Sequence, residues 1–259
     1  MQAVNHYENF PVASWLCPAH LRAPIVAIYH FARTADDIAD EGEASPEDRL
    51  KALAQLGQDL RHSLESPNYL SPQWPQIFIN LRQQILTFKL PVQLLLDLLD
   101  AFTQDVAFTR DARRYADRAE LLDYCRRSAN PIGRLLLHLY GVTDKASLAQ
   151  SDAVCSALQL INCWQDLSLD LPRGRHYLPI GADLAEEVTF ARALMNQGAD
   201  LVHALPGRGG WELRLVVQGG LRILDKIERC NTRLQRPKLQ GADYALMLWR
   251  SLWMTQSRP

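Results

Sequence analysis

The sequence predicts an all-α fold organised as one domain over residues 1–259, and three observations carry that reading. Apolar residues recur at intervals of three and four along nearly the whole chain. Alternating apolar and polar runs bounded by turn residues, the mark of half-buried strands, are missing. Breaks fall at Pro46, Pro72 and Pro75, Pro91, Gly141, Pro172, Pro179 and Pro206-Gly207, with long periodic stretches between them.

Taken in order, the first helix is expected over 21–41, where the chain is apolar nearly all round and so suits a helix enclosed by others. Pro46 opens a second over 46–65, Pro72 and Pro75 bound a third over 73–89, and Pro91 opens a fourth over 91–108. A fifth, over 119–140, runs to Gly141 and contains Asn130-Pro131, where the proline should kink it. The sixth spans 146–171 and stops at Pro172; the rest cover 182–205, 209–236 and 239–254. No repeat of fixed period is present and the loops are short, so a mixed or orthogonal bundle is preferred to a solenoid.

Composition narrows the function. With 47% hydrophobic and 22% charged residues, 13 Gly and 14 Pro, the chain is neither disordered nor low in complexity. A net charge of -1 offers no global field for nucleic acid, which is excluded as a partner. The five cysteines are odd in number and form no CxxC, against a disulfide framework or a thiolate metal site. A cytoplasmic protein is expected, since Met1 to Phe10 has no leader-like pattern and no run of 18 residues escapes polar interruption.

Two polar stripes interrupt apolar helices. In the first, Tyr29, Arg33, Asp36, Asp37 and Asp40 share one arc, with Asp36 and Asp40 a turn apart. Like charges at that spacing repel, severely so when desolvated, and a divalent cation between them resolves the conflict. The bland alternative is a solvated helix end where Arg33 pairs with Asp36 or Asp37. In the second stripe Gln159, Asn162, Asp166 and Asp170 stand at i, i+3, i+7 and i+11 of a run that is otherwise nearly all apolar. Pro172 follows, and then Arg173, Arg175, His176 and Tyr177. Hard oxygen donors beside guanidinium groups suit magnesium and a diphosphate, and so the ionisation of a phosphoester. The alternative there is a polar seam between packed helices, closed by Asp170 and Arg173.

These stripes lie in segments that resemble the squalene and phytoene synthase family, the head-to-head prenyl transferases. AIYHFARTADDIADE resembles its first aspartate-rich segment and QLINCWQDLSLDLPRGRHYLP its second. LLDYCRRSANPIGRLLLHLYG resembles its central helix, and GGLRILDKIERCNTRLQRPKL its C-terminal segment. The resemblance implies the isoprenoid synthase type of helical bundle with a central apolar cavity. It assigns Asp36, Asp40, Asp166 and Asp170 to magnesium. Tyr29, Arg33, Gln159, Asn162, Gln165, Arg175 and Tyr177 are expected to line the diphosphate or the reactive cation.

Departures from the family pattern point to a branch. HYENFPVAS stands in place of a serine-rich N-terminal segment, Gln165 in place of an arginine, and Asn130-Pro131 in place of small residues. Together they resemble the hydroxysqualene-forming members. These take presqualene diphosphate, handed over by a separate presqualene diphosphate synthase, and capture the cation with water, so no NADPH is expected. Asn130, beside the kink at Pro131, is the candidate water-holding residue; an ordinary packing kink is the rival reading. The runners-up are a synthase of presqualene diphosphate, squalene or phytoene, and a non-catalytic assembly factor, which should have lost some of the four acids. Among the remaining residues, His30, His138 and His203 are read as structural, Asp97, Asp100 and Gln104 as a solvated face, and Asp105 is left undecided. In the tail YALMLWRSLWM, Trp249 and Trp253 are read first as core packing. A peripheral contact with the inner face of the membrane is the alternative.

Overall fold

A computed structural model describes residues 17–230 and 236–255, and every regular element among them is helical. The segment HYENFPVAS lies outside the described residues. The first four helices follow the expected order: α1 (Ala19–Asp40), α2 (Pro46–Glu65), α3 (Pro75–Phe88) and α4 (Val92–Arg110). Ser45 caps α2 by accepting from the Asp48 N–H at 3.1 Å, and Pro46 and Pro75 occupy first-turn positions where a missing N–H costs nothing.

The expected fifth helix is two. α5 (Arg118–Ser128) and α6 (Asn130–Leu139) meet at Ala129, because Pro131 in the first turn of α6 has no N–H to continue the ladder. The sixth also divides: α7 (Lys145–Gln165) stops at Asp166, where φ −99° and ψ 9° leave the helical region. The short α8 (Leu167–Asp170) follows, and a 3-10 turn over Leu171–Arg173 ends the run. Likewise α9 (Leu184–Gly198) separates from the four-residue α10 (Leu201–Ala204). α11 (Arg208–Arg229) and α12 (Gly241–Leu252) complete the bundle.

Burial places α7 at the centre: its buried residues include Ala157, Leu160, Ile161 and Trp164, on more than one face. One apolar core joins α7 to α5, α9 and α11 through Leu121, Met195, Val217 and Leu224. A second joins α1 to α2, α3 and α4 through Phe31, Leu56, Leu81 and Leu95. α4 and α6 knit the two, since Leu135 packs in one core and Leu137 in the other. The acids of α1 therefore belong to one core and those following α7 to the other, and they meet at the seam. All five cysteines are free.

Candidate active site

Arg175 is the residue that joins the two stripes. Gly174, at φ 76°, supplies the left-handed turn that directs the chain back after Pro172. Arg175 then donates from Nη1 and Nη2 to both oxygens of Asp40 on α1, at 2.7 and 2.5 Å. The same guanidinium stands 4.0 Å from Asp170, which Arg175, rather than Arg173, approaches among the described ion pairs. Desolvation, together with the nearby charges of Asp166 and Asp40, pushes the Asp170 carboxyl up to about 6 against the opposing pull of Arg175.

The other acids also hold arginines. Arg33 donates to Asp36 at 2.9 Å and pairs with Asp37 at 2.7 Å, so the helix-end pairing open in the sequence is made with both. Asp166 is paired by Arg236, which sequence reasoning did not single out. Gln165 bonds the backbone: its Nε2 donates to the Pro237 carbonyl at 2.6 Å, fastening the chain beside Arg236 to the end of α7. Gln159 and Asn162 are half-buried on α7, and Tyr29 is half-buried on α1 with its ring against His30.

Asp105, left undecided by sequence, is a centre of the site. Tyr124 Oη donates to its Oδ2 at 2.6 Å and Tyr177 Oη to its Oδ1 at 3.2 Å. Tyr115 stacks on Tyr177 with ring centroids 6.1 Å apart. Desolvation within this tyrosine enclosure raises the Asp105 carboxyl from 3.8 to about 7, with the Asp40 charge adding and the tyrosine hydrogen bonds opposing. A recess of about 10 Å³, room for one water, is lined by Asp105, Phe108, Tyr115, Arg175 and Tyr177. The signal for Asp105 was present in the spacing, since it falls four residues after Ala101 and seven after Leu98, both fully or nearly fully buried. Gln104 is no simple solvated residue either, for it donates to Tyr115 Oη at 3.3 Å and accepts from Arg127 at 2.5 Å.

Asn130 is buried at the start of α6, and its Oδ1 accepts from Ser156 Oγ on α7 at 2.9 Å. It is thus joined to the α6–α7 contact rather than to any of the acids. His138 bonds the Phe88 carbonyl at 2.9 Å and His203 meets Arg214 at 3.2 Å, both structural roles.

The donor chemistry at the seam fits magnesium: the four aspartates supply only hard oxygens, and Asp170 is raised chiefly by its burial, with the charges of Asp166 and Asp40 adding. Among the described residues no three acids form a ready-made ligand group, and guanidinium groups stand where cations would. Binding a cation there requires these arginines to change partners.

Comparison with known proteins identifies the family. Residues 3–189 match the family model for squalene/phytoene synthase. A hydroxysqualene synthase of Zymomonas mobilis subsp. mobilis is 40% identical over 184 residues, which are 70% of this chain and 57% of that one. One from Rhodopseudomonas palustris is 39% identical over 66% of this chain and 55% of its own length. The chain thus spans little more than half the length of the curated relatives it matches. Among solved structures, squalene synthase HpnC from Alicyclobacillus acidocaldarius is 35% identical, with a TM-score of 0.73 over 86% of this chain and 89% of that one. A dehydrosqualene synthase at 19% identity and TM-score 0.72 shares the fold. A helical bundle with two acid-bearing segments facing each other across Arg175, matched over residues 3–189, belongs to the squalene/phytoene synthase family.

Proposed function

We propose that the protein is a hydroxysqualene synthase, ionising presqualene diphosphate with magnesium and giving the rearranged cation to water. The observation that carries the reaction is the bidentate grip of Arg175 on Asp40 within 4.0 Å of Asp170. It sets a guanidinium among carboxylates at one point of two helices, the chemistry needed to exchange a side-chain cation for metal and diphosphate. The branch is supported by identity: 37–40% to proteins named hydroxysqualene synthase, against 30% to a phytoene synthase and a presqualene diphosphate synthase.

Bound magnesium would neutralise the diphosphate oxygens as the carbon–oxygen bond breaks. Asp36, Asp40, Asp166 and Asp170 are the residues to hold it. Arg175 and Arg33 then offer guanidinium groups to the leaving diphosphate, and Tyr115 and Tyr177, which line the same recess as Arg175, offer aromatic rings to stabilise positive charge on carbon. Asp105 serves the last step. A water in the adjoining recess forms the new carbon–oxygen bond through its oxygen, and one of its protons passes to the Asp105 carboxylate as that O–H bond breaks. Tyr124 and Tyr177 fix the carboxylate for this transfer. Asn130 is the second candidate for positioning the water, through its amide N–H groups, since Ser156 already occupies its oxygen.

Purified protein incubated with presqualene diphosphate and magnesium, without NADPH and in H₂¹⁸O, should release labelled hydroxysqualene. Squalene formation that requires NADPH, or consumption of farnesyl diphosphate instead, would overturn the assignment. Asp105→Asn should lose the alcohol while Asn130→Ala shifts the mixture towards alkenes or isomeric alcohols; an unchanged mixture in either variant removes that residue from the capture step. A presqualene diphosphate synthase supplies the substrate in this reading, and so apolar a substrate and product suit work at the inner face of a membrane.

A further inference from the structure

α12 is amphipathic in the wrong sense for a surface helix. Its buried side carries Asp243, Met247 and Ser251, exposed by 3, 8 and 1%, with Asp243 held by Arg222 at 2.7 Å and Lys226 at 2.6 Å. Its outer side presents Tyr244, Leu248 and Leu252 at one-turn spacing, with Trp249 and Trp253 beside them. Leu248, Trp249, Leu252 and Trp253 are each 57 to 65% exposed, so the core-packing reading of the two tryptophans is corrected: the helix spends its polar groups inward, on Arg222 and Lys226. Trp211 extends the patch. Arg214 donates to the carbonyls of Ser251 and Met254 and lies over the Trp211 ring at 5.1 Å, bringing the half-exposed indole to the end of α12. A groove of about 440 Å³ runs between Gln218 of α11 and Trp249, Arg250 and Trp253.

Charge decides what this face meets. Over the described residues 208–230 and 236–255 there are eight Lys and Arg against four Asp and Glu, although the whole chain has a net charge of -1. Exposed cations occur around it in the chain: Lys238 before the start of α12, Arg250 within it, reaching Asp225 at 3.4 Å, and Arg208 at the start of α11, three residues before Trp211. A second copy of this face would set like charges against each other around the apolar centre. An anionic bilayer surface satisfies both features, with indole and phenol rings at the headgroup level, leucines at the acyl boundary and cations at the phosphates.

We propose that the outer face of α12, with Trp211, is a docking surface for anionic lipid bilayers, laid parallel to the membrane plane. No helix among the described residues is long and apolar enough to cross a membrane, so this contact is peripheral. The inference rests on the surface and not on the reaction proposed above, and the two fail separately.

Vesicle co-sedimentation of the whole chain tests it. Binding to vesicles of phosphatidylcholine with 30% phosphatidylglycerol should exceed binding to phosphatidylcholine alone at least tenfold and weaken with salt. Trp249→Ser/Trp253→Ser should lose at least tenfold, and Arg250→Glu should reduce the preference for the anionic vesicles. Turnover of detergent-dispersed presqualene diphosphate should be the same in all of these variants, because none of the residues lies at the acidic seam. Equal binding by wild type and Trp249→Ser/Trp253→Ser overturns the proposal. So does a dimer in sedimentation velocity that the double variant abolishes, which would assign the face to a second copy.

Discussion

Asp105→Asn tests the site through stability as well as chemistry. In the folded protein the Asp105 carboxyl titrates near 7 instead of 3.8, chiefly because the tyrosine enclosure desolvates it. Between those pH values the folded protein keeps a proton that the unfolded chain has released. Stability therefore falls as pH rises from about 4 to about 7, and is level with respect to this group above that. At about 1.4 kcal/mol per pH unit, the cost of Asp105 is about 2 kcal/mol at pH 5 and about 4 kcal/mol at pH 8. Asparagine removes the charge while keeping the shape and one acceptor for Tyr124 or Tyr177, so the variant should be more stable by about those amounts. Urea unfolding of wild type and Asp105→Asn at pH 5, 6, 7 and 8 measures the difference. The gain should grow by about 3 kcal/mol across the series, levelling off above pH 7, while alcohol formation is lost. A variant no more stable than wild type at pH 8, or a gain that does not change with pH, would refute the desolvated-carboxylate argument.

Asp36→Asn and Asp166→Asn should each abolish turnover with the helical circular dichroism unchanged, since amides are near-isosteric but poor magnesium ligands; wild-type rates in either variant count against the metal assignment. Diphosphate release should likewise stop in the presence of a chelator. Glu187 is 3% exposed and takes a bidentate grip from Arg118, which is itself 39% exposed at its side chain. Arg118→Met, which strands a buried carboxylate, should cost about 3 kcal/mol and more than Glu187→Gln, and equal losses in denaturant melts would contradict this. Gly198→Ala should cost about 1–3 kcal/mol because its Cβ would press on the Gln150 carbonyl and the Val154 N–H where α9 crosses α7; an unchanged midpoint would show that the crossing relaxes freely.

What was legible in the sequence depended on whether a residue's role is local. Helical class and the order of the helices follow from apolar spacing and from Pro46 and Pro75, which act within one turn of themselves, and these agree with the structure, whereas the stretches expected over 119–140, 146–171 and 182–205 each divide. The stop of α7 at Asp166 was not visible. It arises where Leu169 N–H and Asp170 N–H both reach the Asp166 carbonyl at 2.8 and 2.9 Å, in a run whose residues favour continued helix. The stripes themselves were legible because each lies on one segment. The local pairing of Arg33 with Asp36 and Asp37 was legible too, but the distant partners were not, since Arg175 meets Asp40 across 135 residues and Arg236 meets Asp166 across 70. Asp105 illustrates the middle case: its place on the buried face of α4 is written in the spacing from Leu98 and Ala101, but its meaning comes from Tyr124 and Tyr177, which other elements deliver. The tail shows the converse, because Trp249 and Trp253 have the spacing of a core stripe. Only the inward demand of Asp243 for Arg222 and Lys226 turns that stripe towards the outside. A buried carboxylate with two cations is a stronger orienting constraint than the apolar face opposite it, since an unpaired charge in the interior costs more than an exposed indole.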